Sequence, residues 1–274
     1  MSDTIRDVFN NNKKFTLIAG PCVIESENLV INVAKKVKSI CDKVGIDYYF
    51  KSSFDKANRT TAEHFRGPGL EKGLEILQRV RDTCGIKIVT DIHEPWQAEP
   101  AGKVVDIIQI PAFLCRQTDL LEAAAKTGKT INVKKAQFMS PEEIGKVIAK
   151  LEYFGNKHIL LCERGTCFGY NNLIVDMTSF IRMHKYGYPI VFDATHSVQI
   201  SGGGVNYTNS GTREYVPYLV QAAVAAGADA LFMEVHPEPE KGLCDASCMY
   251  PVDKLEALLL VANKIYELKE RDMI

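Results

Sequence analysis

The sequence predicts a (β/α)8 barrel, an α/β TIM barrel, as a single domain over residues 1–274 with a short polar N-terminal extension at 1–14. Three observations point there. Short apolar runs rich in β-branched residues alternate with amphipathic stretches, and this unit repeats eight times from residue 15 onward. The apolar runs are nearly continuous, as strands covered on both faces require. The length of 274 residues suits a fold that typically takes about 250. Eight units in one chain favour closure over an open doubly wound sheet.

In chain order the predicted strands are Phe15–Cys22, Ile46–Ser53, Ile86–Ile92, Asp106–Ala112, Thr130–Ala136, His158–Gly165, Pro189–Thr195 and Ala230–Val235. Between them, Leu29–Val44 carries an apolar stripe at helical spacing and is stopped by Gly45. Ser140 precedes Pro141 at a helix start, with Glu142 and Glu143 in the first turn, where the helix dipole favours acids. A helix over Glu214–Ala226 ends at Gly227, and Pro251–Leu268 closes the chain. No linker or low-complexity run divides these units.

Bulk properties narrow the function. Hydrophobic residues are 46% and charged residues 24% of the chain, with a formal net charge of -1. A general nucleic-acid binder would carry a basic surplus. Met1–Lys14 lacks the apolar core of a signal peptide, and no apolar run approaches the roughly 20 residues of a membrane span. A cytoplasmic protein with no membrane and no nucleic-acid partner is expected. Its eight cysteines should then be thiols, ligands or core residues rather than disulfides. No Cys-x2-Cys occurs, which argues against a zinc ribbon or finger.

In such barrels the active site lies at the C-terminal ends of the strands. Here those ends are polar throughout. Cys22 follows strand one, and Lys51 ends strand two ahead of the Lys56–Thr60 loop. Asp91 and His93 follow from strand three, then Gln109 with Arg116 beyond it, and Lys134 with Lys135. Glu163 and Arg164, Asp193 and His196, and Glu234 and His236 complete the circuit. Strand ends can be polar simply because they are exposed. Basic residues converging from strands two, five and six in a neutral protein point instead to anionic ligands, with phosphate and carboxylate the groups lysine and arginine suit best.

A second constellation joins Cys22, His196, Glu234 and Asp245, from strands one, seven and eight and the loop beyond. These strands are neighbours in a closed barrel. A thiol, an imidazole and two carboxylates suit a divalent transition metal, with iron(II) or zinc favoured and manganese or cobalt compatible. A buried cysteine beside unrelated strand-end residues is the alternative, and spacing alone leaves both open. Ser201-Gly202-Gly203-Gly204 reads as a mobile covering loop or a phosphate nest.

The motifs at these strand ends resemble one family. They are Ile18-Ala-Gly-Pro-Cys22, Lys51-Ser-Ser-Phe-Asp-Lys-Ala-Asn-Arg-Thr60, Asp91-Ile-His-Glu-Pro95 and Gln109-Ile-Pro-Ala-Phe-Leu-Cys-Arg-Gln-Thr118, followed by Asn132-Val-Lys-Lys135. Arg164-Gly-Thr-Cys-Phe-Gly-Tyr170, Phe192-Asp-Ala-Thr-His-Ser-Val-Gln199 and Phe232-Met-Glu-Val-His-Pro237 complete the set. The chain resembles the 3-deoxy-D-manno-octulosonate 8-phosphate synthases from about Phe15 to the last helix. The resemblance implies a transferase that condenses phosphoenolpyruvate with D-arabinose 5-phosphate in lipopolysaccharide inner-core biosynthesis. It implies that Lys51, Ser53, Lys56, Gln109, Ala112, Lys134 and Arg164 hold phosphoenolpyruvate, and that Asn58, Arg59 and Thr60 meet the arabinose phosphate. Thr60 stands where serine is common, a change that keeps the hydroxyl. Arg116 would reach that phosphate from a neighbouring subunit of a homotetramer. Cysteine at position 22 is the mark of the metal-dependent class, and His196, Glu234 and Asp245 match its other ligands. Lys56 and His196 are the candidates for proton transfer.

Three other readings are open to the sequence. Heptulosonate 7-phosphate synthases carry Lys-Pro-Arg where this chain has Lys56-Ala57-Asn58-Arg59, so Asn58 discriminates against them. A Schiff-base aldolase would use Lys134, with Lys135 as the cationic neighbour that activates it. A phosphosugar sensor would bind without turnover.

Overall fold

The computed structural model describes residues 14–59, 61–167, 173–199 and 212–270. Eight parallel strands form a closed barrel: Thr16–Gly20, Asp47–Lys51, Lys87–Asp91, Ile107–Ile110, Thr130–Lys134, Ile159–Glu163, Ile190–Asp193 and Ala230–His236. The first and eighth pair in register, from Thr16 opposite Ala230 to Gly20 opposite Glu234, and this closes the ring. Each predicted apolar run supplies one strand, so the expected (β/α)8 architecture holds.

The hydrogen-bonded ladders are shorter than those runs. Cys22, Ser53 and Ala136 lie beyond the strands yet are buried. A continuous apolar run therefore reports burial, which continues where the chain has already turned into a loop.

The helices follow their local signals. α1, Glu27–Val44, begins where the Ser26 hydroxyl accepts the Leu29 N–H at 3.2 Å. It ends at Gly45, whose φ of 82° places it in the left-handed region while its N–H donates to the Cys41 carbonyl. Ser140 and Glu143 form a reciprocal capping box, and Pro141–Glu143 makes a 3-10 turn leading into a helix over Ile144–Tyr153. The predicted helix over Glu214–Ala226 likewise divides into a 3-10 turn, Thr212–Tyr215, and a helix over Val216–Ala225 with proline in its first turn. The last helix, Val252–Glu270, packs against α1 and against the helix before it.

The strands' alternation separates two cores. Leu17, Phe50, Ile88, Ile108, Leu161 and Leu231 face outward into the layer shared with the helices. Ile18, Tyr49, Val89, Ile107, Val191 and Phe232 belong to the cluster filling the barrel. Successive side chains alternate faces, so two residues past an interior position the chain again points inward, now at the mouth. Tyr49 is thus followed by Lys51, Val89 by Asp91, Ile107 by Gln109, Val191 by Asp193 and Phe232 by Glu234. The polar strand ends are this inward face carried one step beyond the core.

Gly20 is part of the same construction. A Cβ there would lie 2.1 Å from the Lys51 carbonyl oxygen, on the neighbouring strand. Gly20→Ala is expected to destabilise the protein by about 1–3 kcal/mol through overpacking. A lowered denaturation midpoint at unchanged m-value checks this.

All eight cysteines are free thiols. Among the described residues, no helix is long and apolar enough to cross a membrane.

Candidate active site

Lys51 is buried at the mouth, and its Nζ donates to Ser53 Oγ at 2.9 Å. It also reaches the Cys22 carbonyl and Glu234 Oε1, each at 3.4 Å, with Asp91 Oδ1 at 3.7 Å. Ser53 Oγ donates to Asp91 Oδ1 at 2.5 Å. Lys56 Nζ lies 3.6 Å from Glu234 Oε1. Lys134 Nζ lies 2.5 Å from Asp193 Oδ2 and 3.1 Å from the centroid of the Phe232 ring. Lys51 Nζ is 5.5 Å from the same centroid, so one aromatic ring has ammonium groups from strands two and five near it.

This mouth is not purely cationic. Asp91, Asp193 and Glu234 stand among the lysines and offset their charge. Burial opposes ionisation of Asp91, but Lys51, the bond from His93 and Lys56 hold its carboxyl well below the usual range. Burial also opposes the charge on Lys56, yet the acidic groups Cys22, Glu234 and Asp91 hold it well above an ordinary lysine.

Arg164 differs from the lysines. Its Nη2 donates to the His196 carbonyl at 3.2 Å and to Gln199 Oε1 at 2.9 Å. Its Nε is buried without a hydrogen bond, and no carboxylate among the described residues pairs with it. A guanidinium 7% exposed with unspent donors is suited to an incoming anion.

The other expected residues are distributed as follows. Gln109 Oε1 accepts from Asn132 Nδ2 at 3.2 Å, and Ala112, itself buried, opens a 3-10 turn just past strand four. Asn58 is exposed on the loop after strand two. Arg59 donates from Nη1 to Cys244 Sγ at 2.8 Å and from Nη2 to the Leu243 carbonyl at 2.6 Å. Arg116 is exposed beside Glu143, Lys146 and Lys150, apart from the mouth of its own chain. Thr60 and the glycine-rich stretch at 201–204 lie outside the described residues.

Lys135 leaves the cluster in which the sequence placed it. It is fully buried, and its Nζ donates to the Met139 carbonyl at 3.1 Å and lies 3.4 Å from Glu163 Oε1. One residue past Lys134, it falls on the other side of the chain. It therefore has a separate set of partners from Lys134, and the activating neighbour of the Schiff-base reading is missing.

Cys22, His196, Glu234 and Asp245 do come together. Cys22 Sγ is 3.4 Å from Asp245 Oδ2, and His196 Nε2 is 3.5 Å from both Asp245 Oδ2 and Glu234 Oε2. Donors bound at about 2.0–2.3 Å around a tetrahedral ion would be separated by about 3.3–3.8 Å, so each of these three spacings fits an edge of such a shell, with Cys22 and the pair His196 and Glu234 each meeting Asp245. Glu234 Oε2 is buried with no hydrogen-bond partner, an orphaned acceptor of the kind an ion would satisfy. His196 Nδ1 bonds to Asp193 Oδ2 at 2.8 Å, which fixes the ring and leaves Nε2 facing the other donors. Asp245 has a φ of 47°, the one non-glycine residue in the left-handed region among those described. Such strain is held where surrounding contacts over-determine it. Burial pushes the Cys22 thiol well above its ordinary value, with Cys244 and Glu234 adding to the rise. Burial acts against charge on His196, but Asp193 and Glu234 outweigh it and raise the imidazole to about 9.

Residues given no role from sequence prove central to this geometry. Asp193 joins Lys134 to His196, Asp91 joins Lys51 to His93, and Cys244 lies beside Cys22. The period-two rule marks Asp91 and Asp193 as inward-facing. Nothing in the spacing marks Cys244, because its position depends on the loop after strand eight.

Comparison with known proteins places the whole chain in one family. The sequence pattern of the DAHP synthetase I family matches residues 5–270. A 2-dehydro-3-deoxyphosphooctonate aldolase from Fusobacterium nucleatum subsp. nucleatum is 51% identical over 258 residues, covering 94% of this chain and 92% of that protein. The proteins of the same name from a Cyanothece sp. and a Geobacter sp. are 56% and 54% identical, each over 90% or more of both chains.

Proposed function

Since the chain belongs to the DAHP synthetase I family, we propose that it condenses phosphoenolpyruvate with D-arabinose 5-phosphate and water, giving 3-deoxy-D-manno-octulosonate 8-phosphate and inorganic phosphate. It is an enzyme of the transferase type acting in lipopolysaccharide inner-core biosynthesis. The observation that carries this reading is the meeting, at one barrel mouth, of Lys51, Lys134 and the anion-ready Arg164 with the four-donor set around Asp245.

Lys51, Ser53, Lys56, Gln109, Ala112, Lys134 and Arg164 hold phosphoenolpyruvate, and the ammonium and guanidinium groups offset its phosphate and carboxylate charge. Binding draws the lysines from their carboxylate partners onto substrate. C3 of phosphoenolpyruvate then attacks the aldehyde carbon of the sugar, and water adds at C2 as positive charge develops there. The resulting hemiketal phosphate loses inorganic phosphate by C–O cleavage. Both ring nitrogens of His196 are engaged, Nδ1 by Asp193 and Nε2 towards Glu234 and Asp245. Lys56 Nζ is likewise engaged, at 3.6 Å from Glu234 Oε1, so Lys56 and His196 are both kept as proton carriers and His196 serves as a ligand besides. Cys22, His196, Glu234 and Asp245 hold a divalent ion, iron(II) or zinc by ligand type, which supplies Lewis-acid polarisation when bound.

Asn58, Arg59 and Thr60 meet the arabinose phosphate, and Arg116 reaches it from a neighbouring subunit. That role accounts for the exposed position of Arg116 and is compatible with a homotetramer. The chain works as one barrel domain in the cytoplasm.

The direct test is phosphate release from phosphoenolpyruvate by the metal-replete protein, with arabinose 5-phosphate and erythrose 4-phosphate compared. Release with the five-carbon sugar alone is expected. Release with erythrose 4-phosphate instead would overturn the choice of acceptor, and release with neither would overturn the reaction. Arg164→Ala is expected to raise the KM for phosphoenolpyruvate by about 10- to 100-fold with a smaller change in kcat. An unchanged KM removes Arg164 from the binding set.

A further inference from the structure

We propose that Cys244 is a second sulfur donor to the metal site, which makes the site one for an ion that accepts two thiolates. This rests on the metal reading above and extends it. The ligand atoms of Cys22, Cys244 and Asp245 all lie within 4.8 Å of one another, as do those of His196, Glu234 and Asp245. Asp245 is common to both groups and joins them. Both cysteines are buried, at 1% and 4% exposure. Around them pack Val23 and Met249, whose apolar side chains offer no other polar partner.

Charge supports the assignment. Two thiolates and the carboxylates of Glu234 and Asp245 would outweigh a divalent ion. Arg59 donates directly to Cys244 Sγ, and Lys56 lies against Glu234, so two cations stand at the anionic side of the cluster. Arg59 also donates to the Leu243 carbonyl, which ties the loop carrying Cys244 and Asp245 to the loop after strand two. A second sulfur shifts preference towards thiophilic ions and away from manganese and magnesium, which favour oxygen donors.

Cobalt(II) titration of the intact, metal-stripped protein tests this under reducing conditions, since near-UV sulfur-to-cobalt charge-transfer absorbance reports thiolate ligation. Cys244→Ser is expected to bind cobalt with about half the near-UV intensity per bound ion, Cys22→Ser to behave similarly, and the double variant to show no such band. Cys248→Ser, in the same loop but outside the cluster, should leave the band unchanged. Loss of all cobalt binding by Cys244→Ser, with far-UV dichroism and Tm retained, equally assigns Cys244 to the site. An unchanged band in Cys244→Ser while Cys22→Ser loses its own overturns the second sulfur and leaves a one-thiolate site. Absence of any band in the unmodified protein overturns the metal reading as well. The NMR chemical shift of bound cadmium in the unmodified protein counts the sulfurs without any substitution, and a one-sulfur shift would also overturn the proposal.

Discussion

Cys22→Ala is expected to lower kcat by at least about 100-fold, more than the 10- to 100-fold usual for loss of a group that merely supports a ligand. Cys22 follows the first strand, fully buried, with its sulfur 3.4 Å from Asp245 Oδ2. Removing that sulfur takes one donor from a cluster whose remaining members are two carboxylates and an imidazole, with Cys244 alongside. Alanine is smaller than cysteine and creates no overpacking, so the fold should survive. The variant should then have a Tm close to that of the metal-free parent and much weaker metal binding, with the KM for phosphoenolpyruvate less affected because Arg164 and Lys134 remain. Steady-state kinetics and metal analysis on the same preparation check this. A Cys22→Ala protein that turns over at the parental rate without bound metal would remove the ion from the mechanism.

Sequence makes the strand ends legible for a physical reason. Inside a closed barrel the period of two is strict, so an interior valine or tyrosine fixes the direction of the residue two places on. Lys51, Asp91, Gln109, Asp193 and Glu234 are all located by that rule, and Lys134 follows the buried Asn132 in the same way. The same rule, applied one residue further, shows why Lys135 belongs with Glu163 and not with Lys134. Charge counting without alternation merges the two lysines into one cluster. Pairing of opposite charges is the less legible part. Asp193 meets His196 through the turn that follows its own strand, but it meets Lys134 only because strands five and seven flank strand six at the mouth. Contact of Cys244 with Cys22 depends on a loop that returns to strand one through a left-handed turn at Asp245. Loop conformation follows no period, so no spacing in the sequence predicts that contact.

Asp193→Asn is expected to weaken both halves of the site at once. Asp193 is fully buried, and Oδ2 receives Lys134 Nζ at 2.5 Å and His196 Nδ1 at 2.8 Å, while Oδ1 accepts the His196 N–H at 2.9 Å. Asparagine keeps the volume but removes the charge and presents an amide donor on one side. With the amide nitrogen at the Oδ2 position Lys134 and His196 Nδ1 both lose their acceptor, and with it at Oδ1 the His196 backbone N–H does. Metal affinity should fall by about 10- to 100-fold, as for loss of the carboxylate that orients a ligating histidine. The KM for phosphoenolpyruvate should change with it, because Lys134 is freed from its position over Phe232. In the metal-free protein the stability deficit should also depend on pH. His196 is raised from 6.5 to about 9 in the folded chain: burial opposes this, and Asp193 and Glu234 produce it. A raised histidine contributes stability that is complete below its unfolded value and is lost as pH rises through its folded one. The Tm difference between parent and Asp193→Asn should therefore be largest near pH 6 and narrow on passing pH 9. An equal difference at both ends would mean that Asp193 serves the packing of the mouth and not the charge on His196. A loss of metal affinity without a change in the KM would separate its hold on His196 from its hold on Lys134.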